Sequence, residues 1–168
     1  QTLIESQAQK HDIHMTYPSF DIPYFVYADW TRLKQVLINL LSNAIKYNRA
    51  GGSVVVDCRS LATPGHVRIT VTDSGSGLPP EKMAQLFQPF NRLGAENGSI
   101  AGTGIGLSIS RQLVELMGGN IGAKSETGVG STFWIELPAE DTLPQTDDSK
   151  STKDAAAEQL TILYVDDN

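Results

Sequence analysis

A two-layer α/β sandwich, with a mixed and mostly antiparallel sheet and helices stacked on one face, is the fold class this sequence predicts. Two observations lead to it: two long helical patterns, and two hairpin signals that alternate with them between residues 31 and 137. A third bounds it: 168 residues, 40% hydrophobic and 19% charged, are about one domain's worth of ordinary globular composition, enough for a single packed core.

The elements follow in chain order. Residues 1–9 read as the end of a preceding linker or helix, with no basic leader and apolar run to suggest a secretory signal. HDIHMTYP and YFVYAD are β-prone runs separated by Pro18, Asp21 and Pro23, hence two short strands. From Thr31 to Tyr47, Leu33, Val36, Leu37, Leu40, Leu41, Ala44 and Ile45 recur at helical spacing, and Thr31 is the candidate N-cap. SVVVDCRS and HVRITVT, joined by a turn with Pro64 and Gly65, give the first hairpin. A second helix spans about 104–117 and stops at Gly118 and Gly119. NIGAKSE and STFWIEL then form the second hairpin around Gly128 and Gly130.

Residues 138–158 are acidic and rich in Pro, Ser and Thr, so they read as a flexible linker. Residues 159–168 hold LTILYVDDN, a buried-type strand ending in two acids. The apolar stretches Val36 to Leu41 and Ala155 to Val165 fall short of the roughly 20 residues a membrane span needs. No membrane contact is expected of this segment. A net charge of -6 disfavours nucleic acid, and it means that any phosphate site needs local help from a metal, a few cations or backbone amides. One cysteine, Cys58, excludes a disulfide framework and reads as a small strand residue.

Three segments carry chemistry. Asn39, Asn43, Lys46 and Tyr47 lie at i, i+4, i+7 and i+8, one stripe of the first helix opposite its leucines. Such a stripe is commonly a solvated face. Two asparagines, mediocre helix formers, are nevertheless well suited to lend amide oxygens to Mg²⁺, with Lys46 toward a phosphate. In TDSGSGLP, Asp73 ends a strand before Gly75 and Gly77. The plain reading is a tight turn; a buried carboxylate there would accept from the exocyclic amine of adenine and reject the carbonyl of guanine. In GTGIGLSISRQLVELMGG, a glycine loop (Gly102, Thr103, Gly104, Gly106, Leu107) runs into a helix whose free amides favour an anion. Its spacing matches neither the dinucleotide fingerprint nor the P-loop. Between them lie about 25 residues, long enough for a lid, with Phe87 and Phe90 as anchors. Arg92 sits where a lid could carry positive charge to a terminal phosphate or simply face solvent.

Together these segments resemble the catalytic domain of sensor histidine kinases over residues 10–137: N box LINLLSNAIKYN, first glycine box DSGSGLP, phenylalanine box LFQPFNR and second glycine box GTGIGLSI. The resemblance implies the Bergerat ATP-binding fold, ATP and Mg²⁺ as cofactors, Asn43 as metal ligand, Lys46 and Tyr47 toward the phosphates, and Asp73 on adenine. The second glycine box would surround the triphosphate, and Thr132 would lie near Asp73. Hydrolysing members of this superfamily carry a glutamate four residues before the metal-binding asparagine; here that residue is Asn39, which cannot act as a general base at neutral pH.

Phosphotransfer to a histidine is therefore the expected reaction. His11, His14 and His66 match no phosphoacceptor motif, so the acceptor is expected on a separate dimerisation domain. LTILYVDDN resembles the first strand of a receiver domain, in which Asp166 and Asp167 would help to hold Mg²⁺. With no sheet of its own to join, it is expected to be disordered or to pack opportunistically. A receiver domain or response regulator is the implied downstream partner and the cytoplasm the implied location. A nucleotide-binding regulatory module, or an ATPase or serine kinase of the same superfamily, is the alternative.

Overall fold

The computed structural model describes residues 2–17, 24–61, 65–91, 103–140 and 160–163. Arg92, Gly102, Asp166 and Asp167 lie outside them, as does most of the expected linker. Helix α1 (Thr2–Lys10) buries Ile4 and Ala8, four residues apart and so on one face, beside helix α2 (Trp30–Lys46). Asp29, not Thr31, caps α2: it is extended (φ -69°, ψ 120°) and its Oδ1 accepts from Arg32 N at 2.8 Å. Thr31 already lies within the first turn, whereas a cap must be a non-helical residue whose side chain reaches an amide two or three positions on.

The strands are β1 (His14–Thr16), β2 (Tyr24–Tyr27), β3 (Ser53–Ser60), β4 (His66–Asp73), β5 (Asn120–Glu126), β6 (Gly130–Glu140) and β7 (Leu160–Leu163). They form one sheet in the order β1-β3-β4-β6-β2-β7, with β5 also paired to β6; β1 and β3 run parallel and every other pair antiparallel. Helix α3 (Pro80–Met83) is a single turn inside the expected lid, and helix α4 (Gly106–Leu116) follows it.

Alternation along the central strands divides the two faces. Val67, Ile69 and Val71 of β4 and Phe133, Ile135 and Leu137 of β6 are buried together with Leu33, Val36, Leu40 and Ala44 of α2 and Val114 of α4. Residues of opposite parity cover the other face, where Arg68 pairs with Glu136 and lies 5.3 Å from the ring centre of Trp134. The expected two-layer sandwich is thus the observed one. Buried Cys58 has its thiol pushed up to about 12, by burial first and Asp57 second, so it stays protonated and packs as a small residue.

A strand boundary differs from the sequence reading. Strand β6 runs to Glu140, three residues beyond the expected end at Leu137, because Ala139 N donates to Gly65 O at 2.8 Å and Ala139 and Glu140 pair with Val26 and Phe25. The terminal segment, with no sheet of its own and expected to be disordered or to pack opportunistically, does find an edge: Leu160–Leu163 pairs with β2, Tyr24 opposite Leu163 through Tyr27 opposite Leu160, extending a sheet that would otherwise end at β2 with unpaired backbone groups. Among the described residues, no helix is long and apolar enough to cross a membrane.

Candidate functional site

The polar stripe of α2 does not face open solvent. Asn39, Asn43, Lys46 and Tyr47 line one wall of a cleft of about 500 Å³, within the size range of small-molecule sites. The leucines on the opposite side of α2 bury it in the core, and this fixes the stripe toward the cleft. Lys46 Nζ lies 5.1 Å from the ring centre of Tyr47, which is itself 41% exposed.

At the end of β4, Asp73 shares the inward parity of Val67, Ile69 and Val71, and is only 7% exposed. Its Oδ1 accepts from Gly75 N at 2.9 Å and Ser131 N at 3.2 Å. Among the described residues Oδ2 accepts no hydrogen bond, which leaves it for a donor in the cleft. Burial raises the carboxyl above its usual range, although the two amide donors pull the other way. Gly75 is required by space: a Cβ there would lie 2.4 Å from Tyr47 O and 2.9 Å from Asp73 Oδ1. Gly77, at φ 65°, would push a Cβ to within 2.0 Å of Glu126 O.

Thr103, Gly104, Gly106 and Leu107 line the far side of the cleft. Helix α4 starts at Gly106 without a side-chain cap, so its first amides remain available to an anion. Gly104 takes φ 72° to turn the chain into this helix. A Cβ at Gly106 would meet Asn39 Oδ1 at 2.5 Å, so the N-box amide occupies the room the glycine leaves.

Two expected members do not join the site. Thr132 has outward parity and sits opposite Thr72, their hydroxyls 3.2 Å apart. Its neighbour Ser131 is the residue that faces Asp73. Phe90 is 80% exposed at φ 62°, so it does not anchor the lid; Leu86, buried and lining the cleft, and Phe87, packed against the core, do so. Arg92 and Gly102 lie outside the described residues.

Other residues had not been singled out. Ser42, Leu78, Lys82 and Phe133 also line the cleft. Asn48 ties the end of α2 to the first glycine box: its Nδ2 donates to Ser53 O at 3.0 Å, while Ser74 Oγ donates to its Oδ1 at 3.3 Å. Parity along β4 and β6 was the readable signal for Ser131 and Phe133. No local pattern marks Ser42 or Lys82.

The arrangement offers a buried acceptor at one end, an apolar floor of Leu78, Leu86, Leu107 and Phe133, and amide oxygens, a lysine and helix amides at the other. That polarity suits a base at one end and phosphates at the other. The family model of histidine kinase-, DNA gyrase B- and HSP90-like ATPases matches residues 28–141. The chain is 40% identical over 152 residues to the virulence sensor protein BvgS of Bordetella bronchiseptica, covering 85% of this chain and 12% of that protein. Among solved structures, the mycobacterial sensor histidine kinase MprB has a TM-score of 0.70 at 30% identity, covering 81% of this chain and 90% of that one. Full-length ShkA, solved in complex with AMPPNP, has a TM-score of 0.69 at 33% identity, covering 82% of this chain and 28% of that one. The chain thus spans a small part of the length of curated relatives such as this one.

Proposed function

The chain belongs to the family of histidine kinase-, DNA gyrase B- and HSP90-like ATPases, as an ATP-binding catalytic domain of the histidine kinase kind, and on that premise we propose that it binds ATP with Mg²⁺ and passes the γ-phosphate to a histidine on a separate dimerisation domain. The observation that carries the reading is the pairing of a buried, acceptor-only Asp73 with an amide, Asn39, where hydrolysing members carry a glutamate.

Each wall has one task. Asp73 Oδ2 accepts from the adenine amine, and Gly75, where a Cβ would meet Asp73 Oδ1, leaves that carboxylate in place. The α4 amides and Lys46 hold phosphates, and Asn43 with Asn39 offers neutral oxygens toward the metal. These donors fit Mg²⁺, which in nucleotide sites takes few protein ligands because phosphates and water supply the others. Bound there, the metal would neutralise charge on the phosphates. With no carboxylate at position 39 to activate water, transfer to an imposed nucleophile outruns hydrolysis. Catalysis by this chain is then positioning and charge compensation. In the intact protein a receiver domain or response regulator accepts the phosphate next, and this domain works in the cytoplasm, where ATP is available.

The test titrates ATP and Mg²⁺ into the chain, then adds a separately made histidine-bearing helical hairpin taken from the same full-length protein. Acid-labile, alkali-stable phosphate on the hairpin is the expected product. Binding without transfer favours a regulatory module, and steady phosphate release without transfer favours an ATPase.

A further inference from the structure

Among the described residues three polar side chains are buried, and two of them, Asp73 and Ser131, face each other in the site. The third is Ser110, 2% exposed on the inner side of α4, where alanine would propagate the helix better and would bury no hydroxyl. Its Oγ accepts from Asn39 Nδ2 at 2.8 Å, 71 residues away in sequence. The same amide has its Oδ1 over Gly106, one turn earlier on α4, in the space a Cβ would take. Asn39 is therefore held at both ends by α4.

A primary amide has an acceptor end and a donor end of nearly equal size, so shape alone does not decide which of them faces a ligand. We infer that Ser110 is a positioning residue, which pins the donor end of Asn39 and so presents its oxygen toward the metal-bearing phosphates. The hydrogen bond also locks the N-box helix to the second glycine box, so the amide oxygens and the α4 amides keep a fixed spacing. This inference rests on the metal reading of Asn39 proposed above.

Calorimetric titration of ADP, with Mg²⁺ and separately with EDTA, into the wild-type chain, Ser110→Ala, Asn39→Ala and the double variant tests it. Ser110→Ala should weaken Mg²⁺-ADP by about two- to tenfold, the span of one neutral hydrogen bond, and leave ADP in EDTA unchanged. In the Asn39→Ala background the same substitution should add nothing, since Ser110 acts through Asn39. An equal loss in both conditions would mean simple packing and overturn the inference, as would a full further loss in the Asn39→Ala background or no loss at all. Wild-type chain that binds ADP equally well with and without Mg²⁺ overturns the metal reading itself, and with it this inference; that outcome is visible before any variant is made.

Discussion

Asp73→Asn separates what the carboxylate does for the fold from what it does for the ligand. Asparagine has nearly the same shape, and its carbonyl can still accept from Gly75 N and Ser131 N, now 2.9 and 3.2 Å from Asp73 Oδ1. The charge is the difference. Burial raises the Asp73 carboxyl more than the two amides lower it. A carboxyl raised in the folded state adds stability below its unfolded value and loses that stability as pH rises through its folded value. At neutral pH the ionised group is therefore a net cost to the empty domain, and the asparagine variant should melt at the same temperature or higher. Nucleotide binding should move the other way. A hydrogen bond to a charged acceptor contributes about 1.5–3 kcal/mol, so its loss weakens ADP by roughly ten- to more than a hundredfold. Turning the amide over gives no escape, since Nδ2 would then face two backbone donors. Calorimetric titration and a thermal melt on the same sample read both quantities. Unchanged affinity would refute the adenine role, and a melting point several degrees lower would refute the view that the charge costs stability. In wild type, affinity should decline as pH falls through the raised Asp73 value, hence at higher pH than an exposed carboxylate would give; the asparagine variant should lack this decline.

Asn43→Ala should weaken ADP more with Mg²⁺ than in EDTA, and an equal loss in the two titrations would remove Asn43 from the metal. Gly75→Ala places a Cβ 2.4 Å from Tyr47 O, so it should destabilise by about 1–3 kcal/mol and displace Asp73, lowering both the urea midpoint and ADP affinity. Leu40, 1% exposed, should cost about 2–5 kcal/mol as alanine. Phe90→Ala, at an 80% exposed position, should stay within about 0.5 kcal/mol of wild type in the same urea titration.

Most of the fold was legible because its elements carry strong periods. The leucines of α2 and the valines and isoleucines of β3 and β4 recur with the spacing their burial requires, and glycines mark the turns between them. What was not legible depends on contacts distant in sequence. The cap of α2 fell to Asp29 because the helix begins one residue earlier than its apolar pattern. β6 outran its expected end because Gly65 and β2 were there to pair with it. Thr132 was placed by resemblance, and strand parity, which the sequence also carries, instead sets Ser131 opposite Asp73. Phe90 shows the opposite failure: an aromatic expected to anchor the lid takes a positive φ and lies 80% exposed, while Leu86 takes the buried place.

The site itself was legible in pieces for a physical reason. Each box forms one wall, and a wall is chemically ambiguous until something stands opposite it. Asn39 and Asn43 on an isolated helix are a wet face; Asp73 between glycines is a turn; Gly104 and Gly106 before a helix are a cap. The ambiguity ends where α4 packs across α2, with Gly106 making room for the Asn39 amide and Ser110 holding its nitrogen. That contact spans 71 residues and follows no local rule, so only the folded chain reveals it. It also bears on the choice between hydrolysis and transfer. A glutamate at position 39 would turn Ser110 from acceptor to donor and would set a carboxylate against Gly106, where α4 begins. Within the proposed reading, the preference for transfer rests on the amide at position 39, which takes no proton at neutral pH, and the α4 contact holds that amide in place.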